Sequence, residues 1–178
     1  MANLAVFPTA IRAAGVWTIS AGHLADAETV TIGGKVYTFK NTVSTTDGNV
    51  YLPTGSDDAA DVAAAANLIK AINLSGTAGT DYGTNTVKHA MVYAVAGSTT
   101  RKVKVLAKCP GTAGNYIAFV DGTAQASVDA ATLGTAVAGV GDGIVELLAY
   151  IADIESHSQV NAQVQSQIDA IQAALPLV

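Results

Sequence analysis

The chain has 178 residues and a formal net charge of −5; half of its residues are hydrophobic, 6% are aromatic and 13% are charged. The excess of acidic residues disfavours a protein that binds nucleic acid, because phosphate binding needs a basic face. Low charge combined with many aliphatic residues argues against disorder, and no apolar run reaches the roughly 18 residues of a membrane helix. The hydrophobic half is dominated by 34 alanines, so we expect a soluble protein with a thin core and a weakly charged surface.

Residues 1–22 predict an N-terminal arm, because they are apolar but irregular and contain Pro8 and Gly15. Phe7, Ile11 and Trp17 are costly to expose to water, so we predict that this arm docks on its own domain or on a neighbouring subunit. A short strand around residues 16–20 is compatible with this interpretation. The segment lacks the charge pattern of a secretory signal, so synthesis in the cytoplasm is expected.

The segment ETVTIGGKVYTFK, residues 28–40, predicts a β-hairpin closed by Gly33-Gly34. Two adjacent glycines suit a type I′ turn, in which both central residues have positive φ. This turn pairs Ile32 with Lys35, Val30 with Tyr37 and Glu28 with Phe39. Most of the apolar residues then share one face, as a half-buried hairpin requires.

A helix is predicted from Ser56, the expected N-cap, to about Asn73, with aspartates in its first turns. Its expected apolar stripe consists of Val62, Ala65, Ala66, Ile69 and Ile72. Polar loops at residues 41–52 and 75–87 flank this helix, the first containing a short strand at 49–52.

Further strands are predicted downstream of the helix from alternating patterns. In the first, Met91, Tyr93 and Val95 share one side; in the second, Val103 and Val105 face inward. Turns at Pro110-Gly111 and residues 113–115 lead to a strand at 116–120. Residues 23–122 therefore form the expected α+β domain, and residues 123–142 an Ala/Gly/Thr-rich connection with a strand near Val137.

Residues 143–178 predict a helical oligomerisation segment, because apolar residues recur there at steps of three and four. The predicted coiled-coil-like interface consists of Ile144, Leu147, Ile151, Ile154, Val164, Ile168, Ile171 and Leu175. Glutamines surround the second half of this seam, and such a helix is poorly stable alone. Isoleucine at both seam positions favours three or more strands over two.

Residues that could support chemistry have simpler structural interpretations. Cys109 could be a nucleophile only with a base such as His89 and a positive field, and a small residue at a strand end is the preferred interpretation. The Asp57, Asp58 and Asp61 cluster suits a helix start better than a calcium site. The basic strand formed by Arg101, Lys102, Lys104 and Lys108 could contact an acidic neighbour or protect a sheet edge. No catalytic residue, cofactor or metal site is predicted.

Three sequence motifs follow one another along the chain: ETVTIGGKVYTF, DDAADVAAAANLIKAIN and VKVLAKCPGTAGNYIAF. Together they resemble a small domain that recurs in tailed-bacteriophage virion proteins. The resemblance covers roughly residues 26–120, and its most specific part is PGTAGN at residues 110–115. It implies a head-fibre, decoration or tail-associated protein without catalytic residues.

The sequence therefore predicts a non-enzymatic structural protein of the virion, an α+β domain followed by the helical segment, assembled as a homotrimer. Its expected partners are further copies of itself and virion proteins such as the major capsid protein, not nucleic acid or membrane. A neck or tail protein is one alternative. A module that binds carbohydrate on the host surface is another, with loops 41–52 and 75–87 presenting Tyr51 and Tyr82.

Overall fold

The computed structural model describes residues 11–20, 22–55, 57–139 and 162–174. The strands are β1 (Ala14–Ile19), β2 (Thr29–Ile32), β3 (Lys35–Lys40), β4 (Asn49–Tyr51), β5 (Val92–Ala96), β6 (Lys102–Ala107), β7 (Phe119–Gly122) and β8 (Ala126–Val128). The helices are α1 (Asp58–Asn73), α2 (Leu133–Ala136) and α3 (Ala162–Ala174), with a 3₁₀ helix at Thr112–Tyr116.

The described strands form two four-stranded sheets, ordered β5-β6-β1-β8 and β4-β3-β2-β7. All pairs are antiparallel except β3 with β4. Both sheets and helix α1 contribute to one hydrophobic cluster. The predicted α+β class, with mostly antiparallel strands and one main packed helix, is confirmed, but the strands form two sheets and not the single small sheet that was predicted. Of the predicted helical segment 143–178, residues 162–174 are described and form α3, and the rest of the predicted coiled coil lies outside the described residues.

The predicted hairpin at residues 28–40 is confirmed in register and in turn geometry. Ile32 pairs with Lys35 and Val30 with Tyr37, while the amide of Phe39 donates to the carbonyl of Glu28 at 2.8 Å. Gly33 and Gly34 have φ values of 53° and 84°, as a type I′ turn requires. The side chains predicted to face the core are fully buried.

Strand β1 corrects the predicted boundary of the N-terminal arm, because residues 14–19 lie between β6 and β8 in the first sheet. Trp17 is fully buried and stacks on Phe39, with ring centroids 5.4 Å apart. Its indole Nε1 donates to Oδ1 of Asp121 at 3.1 Å. Trp17 is therefore a core residue, because its ring and its polar atom both find partners inside the domain.

Residues 123–139 also belong to the domain, although they were predicted to be a connection. Strand β8 pairs with β1, and Leu133 at the start of α2 is fully buried. The amide of Val137 donates to the carbonyl of Ala14 at 3.3 Å, so an isolated bridge replaces the strand predicted there. The described domain therefore extends from β1 to Gly139.

Helix α1 differs from its prediction at its start and in its buried face. The N-cap is Asp57, whose side chain accepts a hydrogen bond from the amide of Ala60 at 2.8 Å; Ser56, the predicted cap, lies outside the described residues. Val62 is half-buried and Ala66 is exposed, so the predicted stripe is partly wrong. The buried residues are Ala60, Asp61, Ala64, Ala65, Asn67, Leu68, Ala71 and Ile72.

Strands β5 and β6 place the small and branched residues inward. Val103 and Val105 are fully buried as predicted. Met91, which precedes β5, and Val95 are exposed and Tyr93 is half-buried, so the side that these three residues were predicted to share faces outward. The strand predicted at residues 116–120 is wrong at its start: Tyr116 ends the 3₁₀ helix, and β7 begins at Phe119. No described helix is both long and apolar enough to cross a membrane.

Candidate assembly site

The turn at residues 110–115, PGTAGN in the sequence, contacts the first described residues of the domain. The amide of Gly111 donates to the carbonyl of Ile11 at 3.0 Å. A Cβ atom added at Gly114 would lie 2.5 Å from that of Ala107 and 3.0 Å from that of Ala13. Glycine is therefore required at position 114, because real Cβ atoms do not approach so closely. This turn fixes the backbone from which residues 1–10 continue.

The same turn binds the last described residue of the domain through Asn115. Its amide Nδ2 donates to the carbonyl of Gly139 at 3.2 Å, and the amide of Gly139 donates back to Oδ1 at 2.6 Å. Asn115 thus pairs with the backbone as a neighbouring strand would. Gly139 packs so closely on Gly111 that a Cβ atom would overlap the Gly111 carbonyl oxygen.

The two segments predicted to mediate assembly therefore join the domain at one place. We call it the assembly pole; it comprises Ile11, the turn at 110–115 and Gly139. Ile11 is 47% exposed there. Residues 1–10 continue from Ile11 and residues 140 onward from Gly139, so both segments are attached to the domain at this pole.

The predicted docking and interface residues do not lie together in the described structure. Phe7, Ile144, Leu147, Ile151, Ile154 and Leu175 lie outside the described residues. Trp17 is in the core, and Ile11 is at the assembly pole. In α3, the side chain of Val164 also lies outside the description, Ile168 is buried and Ile171 is 45% exposed. The described part of the predicted seam thus has one covered and one exposed position.

Cys109 is a free, exposed thiol near the assembly pole, but His89 is not arranged as its base. The Nε2 atom of His89 lies 2.9 Å from the carbonyl oxygen of Ile32, and Nδ1 accepts hydrogen bonds from the amides of Met91 and Val92. Both ring nitrogens are therefore engaged within the core. Lys108 donates its ammonium to the backbone carbonyl of His89.

The aspartates at the start of α1 form an ion-pair cluster with Arg101 and His23. Asp61 is 1% exposed, and its carboxylate accepts hydrogen bonds from Arg101 and from the amide of Leu24 at 3.1 Å. Burial by itself raises the pKa of Asp61, but hydrogen bonds from Arg101 and His23 outweigh it and hold that pKa below its ordinary value.

Among the described residues, this cluster has the arrangement most similar to a metal site. His23, Asp58 and Asp61 place possible ligand atoms within 4.8 Å of one another. Arg101 already supplies the compensating cation, with Nη1 at 3.3 Å from Oδ1 of Asp58. We therefore assign the cluster a structural role: it ties the 22–24 segment and β6 to the helix. Sequence reasoning missed it, because Arg101 lies 40 residues from Asp61.

The basic strand predicted from Arg101 to Lys108 does not act as one unit. Arg101 pairs with aspartates, whereas Lys102 and Lys104 are half-buried on the outer side of β6, opposite Thr18 and Val16 of β1. Arg12 places its guanidinium 5.9 Å from the ring centroid of Tyr93. The lysines therefore lie on the face of the sheet and do not protect an edge.

The two polar loops predicted to bind carbohydrate do lie side by side. The amides of Thr84 and Asn85 donate to the carbonyls of Ser44 and Thr45, each at 3.2 Å. Tyr82, however, is only 3% exposed, and its hydroxyl donates to the carbonyl of Gly76 at 2.8 Å. It cannot serve as a stacking platform, which weakens the alternative of a carbohydrate-binding module.

No protein-family model matches the sequence, and none of the curated proteins with which it was compared matches it.

Proposed function

We propose that this chain is a structural protein of a tailed-bacteriophage virion, specifically a head-fibre or capsid-decoration protein that assembles as a homotrimer. The observation that carries the proposal is the role of the PGTAGN turn. This motif is the most specific part of the resemblance to virion proteins. Its residues also hydrogen-bond to the backbone of Ile11 and of Gly139. The proposal assigns the turn to presenting the two assembly segments from one pole.

In this proposal the protein binds its partners through a large contact area and catalyses no reaction. The predicted seam, from Ile144 to Leu175, holds copies together, while the arm adds contacts to a neighbour. Weak contacts become effective when several are made at once, because linked binding events raise the effective concentration of the later ones. The partners are copies of the chain and the major capsid protein, and the chain is found in the virion after synthesis in the host cytoplasm. No cofactor is needed.

Truncation of the full chain tests the proposal. Removing residues 143–178 should lower the mass measured by light scattering from that of a trimer to that of a monomer, and should abolish incorporation into virions. Removing residues 1–10 should impair incorporation without unfolding the domain, since β1 begins at Ala14. Removing 1–22 is unsuitable, because it deletes the buried Trp17. A full-length chain that stays monomeric at micromolar concentration contradicts the trimer.

The number of copies per particle distinguishes a decoration protein from the neck or tail alternative. Decoration of an icosahedral shell requires hundreds of copies, whereas a neck or tail ring contains about six or twelve, as cyclic symmetry implies. Quantitative mass spectrometry of purified particles gives this number. Absence of the chain from purified particles contradicts both interpretations.

A further inference from the structure

Five basic side chains of the domain form no ion pair with a described residue. The other four basic residues each pair with an aspartate; they are Lys35, Lys40, Lys70 and Arg101. The unpaired five are Arg12, Lys88, Lys102, Lys104 and Lys108. The chain as a whole has a net charge of −5. Positive charge gathered in one place without a counter-charge produces a local field that attracts anions.

Three of these cations line one open pocket of about 520 Å³ on the outer side of β5: Arg12, Lys88 and Lys108. The rest of the lining consists of Asn73, Tyr93, Ala94 and Val95. The described residues thus contribute three positive charges and no carboxylate to this pocket. A water molecule takes about 30 Å³ in the liquid, so the pocket has room for a ligand with an organic body and is not restricted to a small ion.

The free edge of β5 is already hydrogen-bonded in this pocket. The amide Nδ2 of Asn73 donates to the carbonyl of Ala94 at 2.7 Å, and its Oδ1 accepts from the amide of Ala94 at 3.0 Å. An added strand therefore cannot pair with β5 at this residue. The side chains of Arg12 and Lys108 each donate to a backbone carbonyl, which positions these cations without neutralising them. The pocket therefore offers a ligand mainly positive charge.

The positive surface continues from the pocket onto the outer face of the first sheet. Lys104 lies opposite Val95 in the pairing of β5 with β6, and Lys102 lies two residues away on the same face of β6, a spacing of about 6.6 Å. Asp129, which follows β8, is at the opposite edge of the sheet. A row of cations beside the apolar surface of Tyr93 and Val95 suits an extended ligand that carries both carboxylates and aliphatic groups.

We infer that this pocket binds a carboxylate-rich segment of a partner protein. The three cations hold its carboxylates, and its aliphatic side chains pack on Tyr93 and Val95. Nucleic acid, the other extended polyanion, carries no aliphatic side chains and is disfavoured by the net charge of −5. The inference goes beyond the proposed assembly, because the site needs no second copy of the chain.

Binding of a labelled peptide to the full-length chain tests the inference. The probe is an octapeptide of alternating glutamate and valine, and its matched control has glutamine in place of each glutamate. Fluorescence anisotropy at low ionic strength measures the dissociation constant of each peptide. We expect the glutamate peptide to bind at least about tenfold more tightly than the glutamine peptide, and to weaken as added salt screens the charges.

Lys88→Gln identifies the pocket as the site, because Lys88 is exposed and its replacement leaves no buried group unpaired. It should weaken binding of the glutamate peptide about threefold, as expected for one exposed ion pair. Arg12→Gln/Lys88→Gln should weaken it about tenfold, because half-buried charges are screened less. Lys40→Gln is the matched control: it removes the same charge from the other sheet, outside the pocket lining, and should leave binding unchanged.

Three outcomes overturn the inference. The first is absence of binding, or equal binding of the two peptides. The second is equal weakening by Lys88→Gln and Lys40→Gln, which would show that net charge and not the pocket attracts the peptide. The third is tighter binding of inorganic phosphate or of a DNA duplex, because the ligand would then be a phosphate and not an acidic protein segment. Unchanged thermal midpoints of the single variants establish that these results are not caused by unfolding.

Discussion

Replacing His89 tests whether a neutral, fully bonded histidine connects the hairpin to the first sheet. His89 is 2% exposed. Its Nδ1 accepts hydrogen bonds from the amides of Met91 and Val92 at 3.1 and 3.2 Å, which leaves the proton on Nε2 to donate to the carbonyl of Ile32 at 2.9 Å. The backbone amide of His89 also donates to the carbonyl of Ile72 at 3.0 Å, which joins the segment to α1.

The change His89→Leu removes three hydrogen bonds and leaves two amides and one carbonyl without their partner. An unsatisfied buried polar group costs about 1–3 kcal/mol. We expect a total loss of about 3–5 kcal/mol in the free energy of unfolding, because the amide of the partly exposed Met91 can regain water. Met91→Leu is the control at the same place, and a volume-conserving change of this kind costs less than about 1.5 kcal/mol.

The pH dependence of wild-type stability provides an independent check. Burial lowers the pKa of His89, and the charges of Lys35 and Lys108 lower it further, although the hydrogen bond to Ile32 acts in the opposite direction. The unfolded chain therefore takes up a proton below about pH 6.5 while the folded chain resists it. Stability from this residue is full above that pH and is lost on acidification, by up to about 1.4 kcal/mol per pH unit.

Urea denaturation followed by circular dichroism, from about pH 8 down to about pH 5, measures both effects. His89→Leu should be less stable than wild type throughout and should show a flatter dependence on pH. A variant that loses stability with the same slope as wild type would mean that His89 is not the source of the pH dependence. A loss below about 1 kcal/mol would refute the contribution of the three hydrogen bonds.

Three further substitutions test the core, the cluster and the assembly pole by the same urea measurement. Trp17→Phe should lower the free energy of unfolding by about 1–3 kcal/mol, because the indole hydrogen bond and side-chain volume are lost. Impaired assembly at unchanged stability would instead support the docking role predicted from the sequence. Asp61→Asn should lower the free energy of unfolding by about 2–3 kcal/mol. This is less than the cost of breaking a fully buried ion pair, because Arg101 still reaches water. Unchanged stability would contradict the ion-pair assignment. Asn115→Ala should lower the free energy of unfolding by about 1–2 kcal/mol and release Gly139. Faster amide exchange at residues 137–139 checks this, and unchanged exchange would refute the role of Asn115 in holding Gly139.

The hairpin could be predicted in register because the information for it is local. Gly33-Gly34 allow one turn type, and the alternation on either side agrees with the pairing that this turn imposes. Strand β1 pairs with residues of β6 that lie 84–92 positions further along the chain, and with residues of β8 that lie 107–111 positions further. No turn connects these pairs, so their pairing could not be read from the sequence.

The buried face of α1 was predicted only in part, because alanine gives a weak periodic signal. Alanines occupy both faces, so the few larger residues determined the prediction. The structure also buries two polar residues of the helix through long-range bonds: Asp61 with Arg101, and Asn67, whose amide donates to the carbonyl of Tyr51 at 3.0 Å. These partners lie outside the helix, so the helical pattern alone could not identify the buried face.

The assembly pole shows the same division between local and long-range information. The turn-forming composition of PGTAGN was apparent, but its contacts could not be derived from spacing, because Gly111 lies 100 residues from Ile11 and Asn115 lies 24 residues from Gly139. The candidate site therefore depends on the structure, whereas the functional class depends on the resemblance.

The scarcity of aromatic residues has a physical consequence for where this protein can bind partners. Trp17, Tyr37, Phe39 and Phe119 are all fully buried in the core of the domain, whereas Tyr116, at the end of the 3₁₀ helix, is 85% exposed. In the proposed function, adhesion therefore draws on the few exposed apolar side chains of the domain, such as Tyr116 and Met91, and on the segments that continue from Ile11 and Gly139. Because both segments join at one pole, a low aromatic content and binding through area are compatible in the same chain.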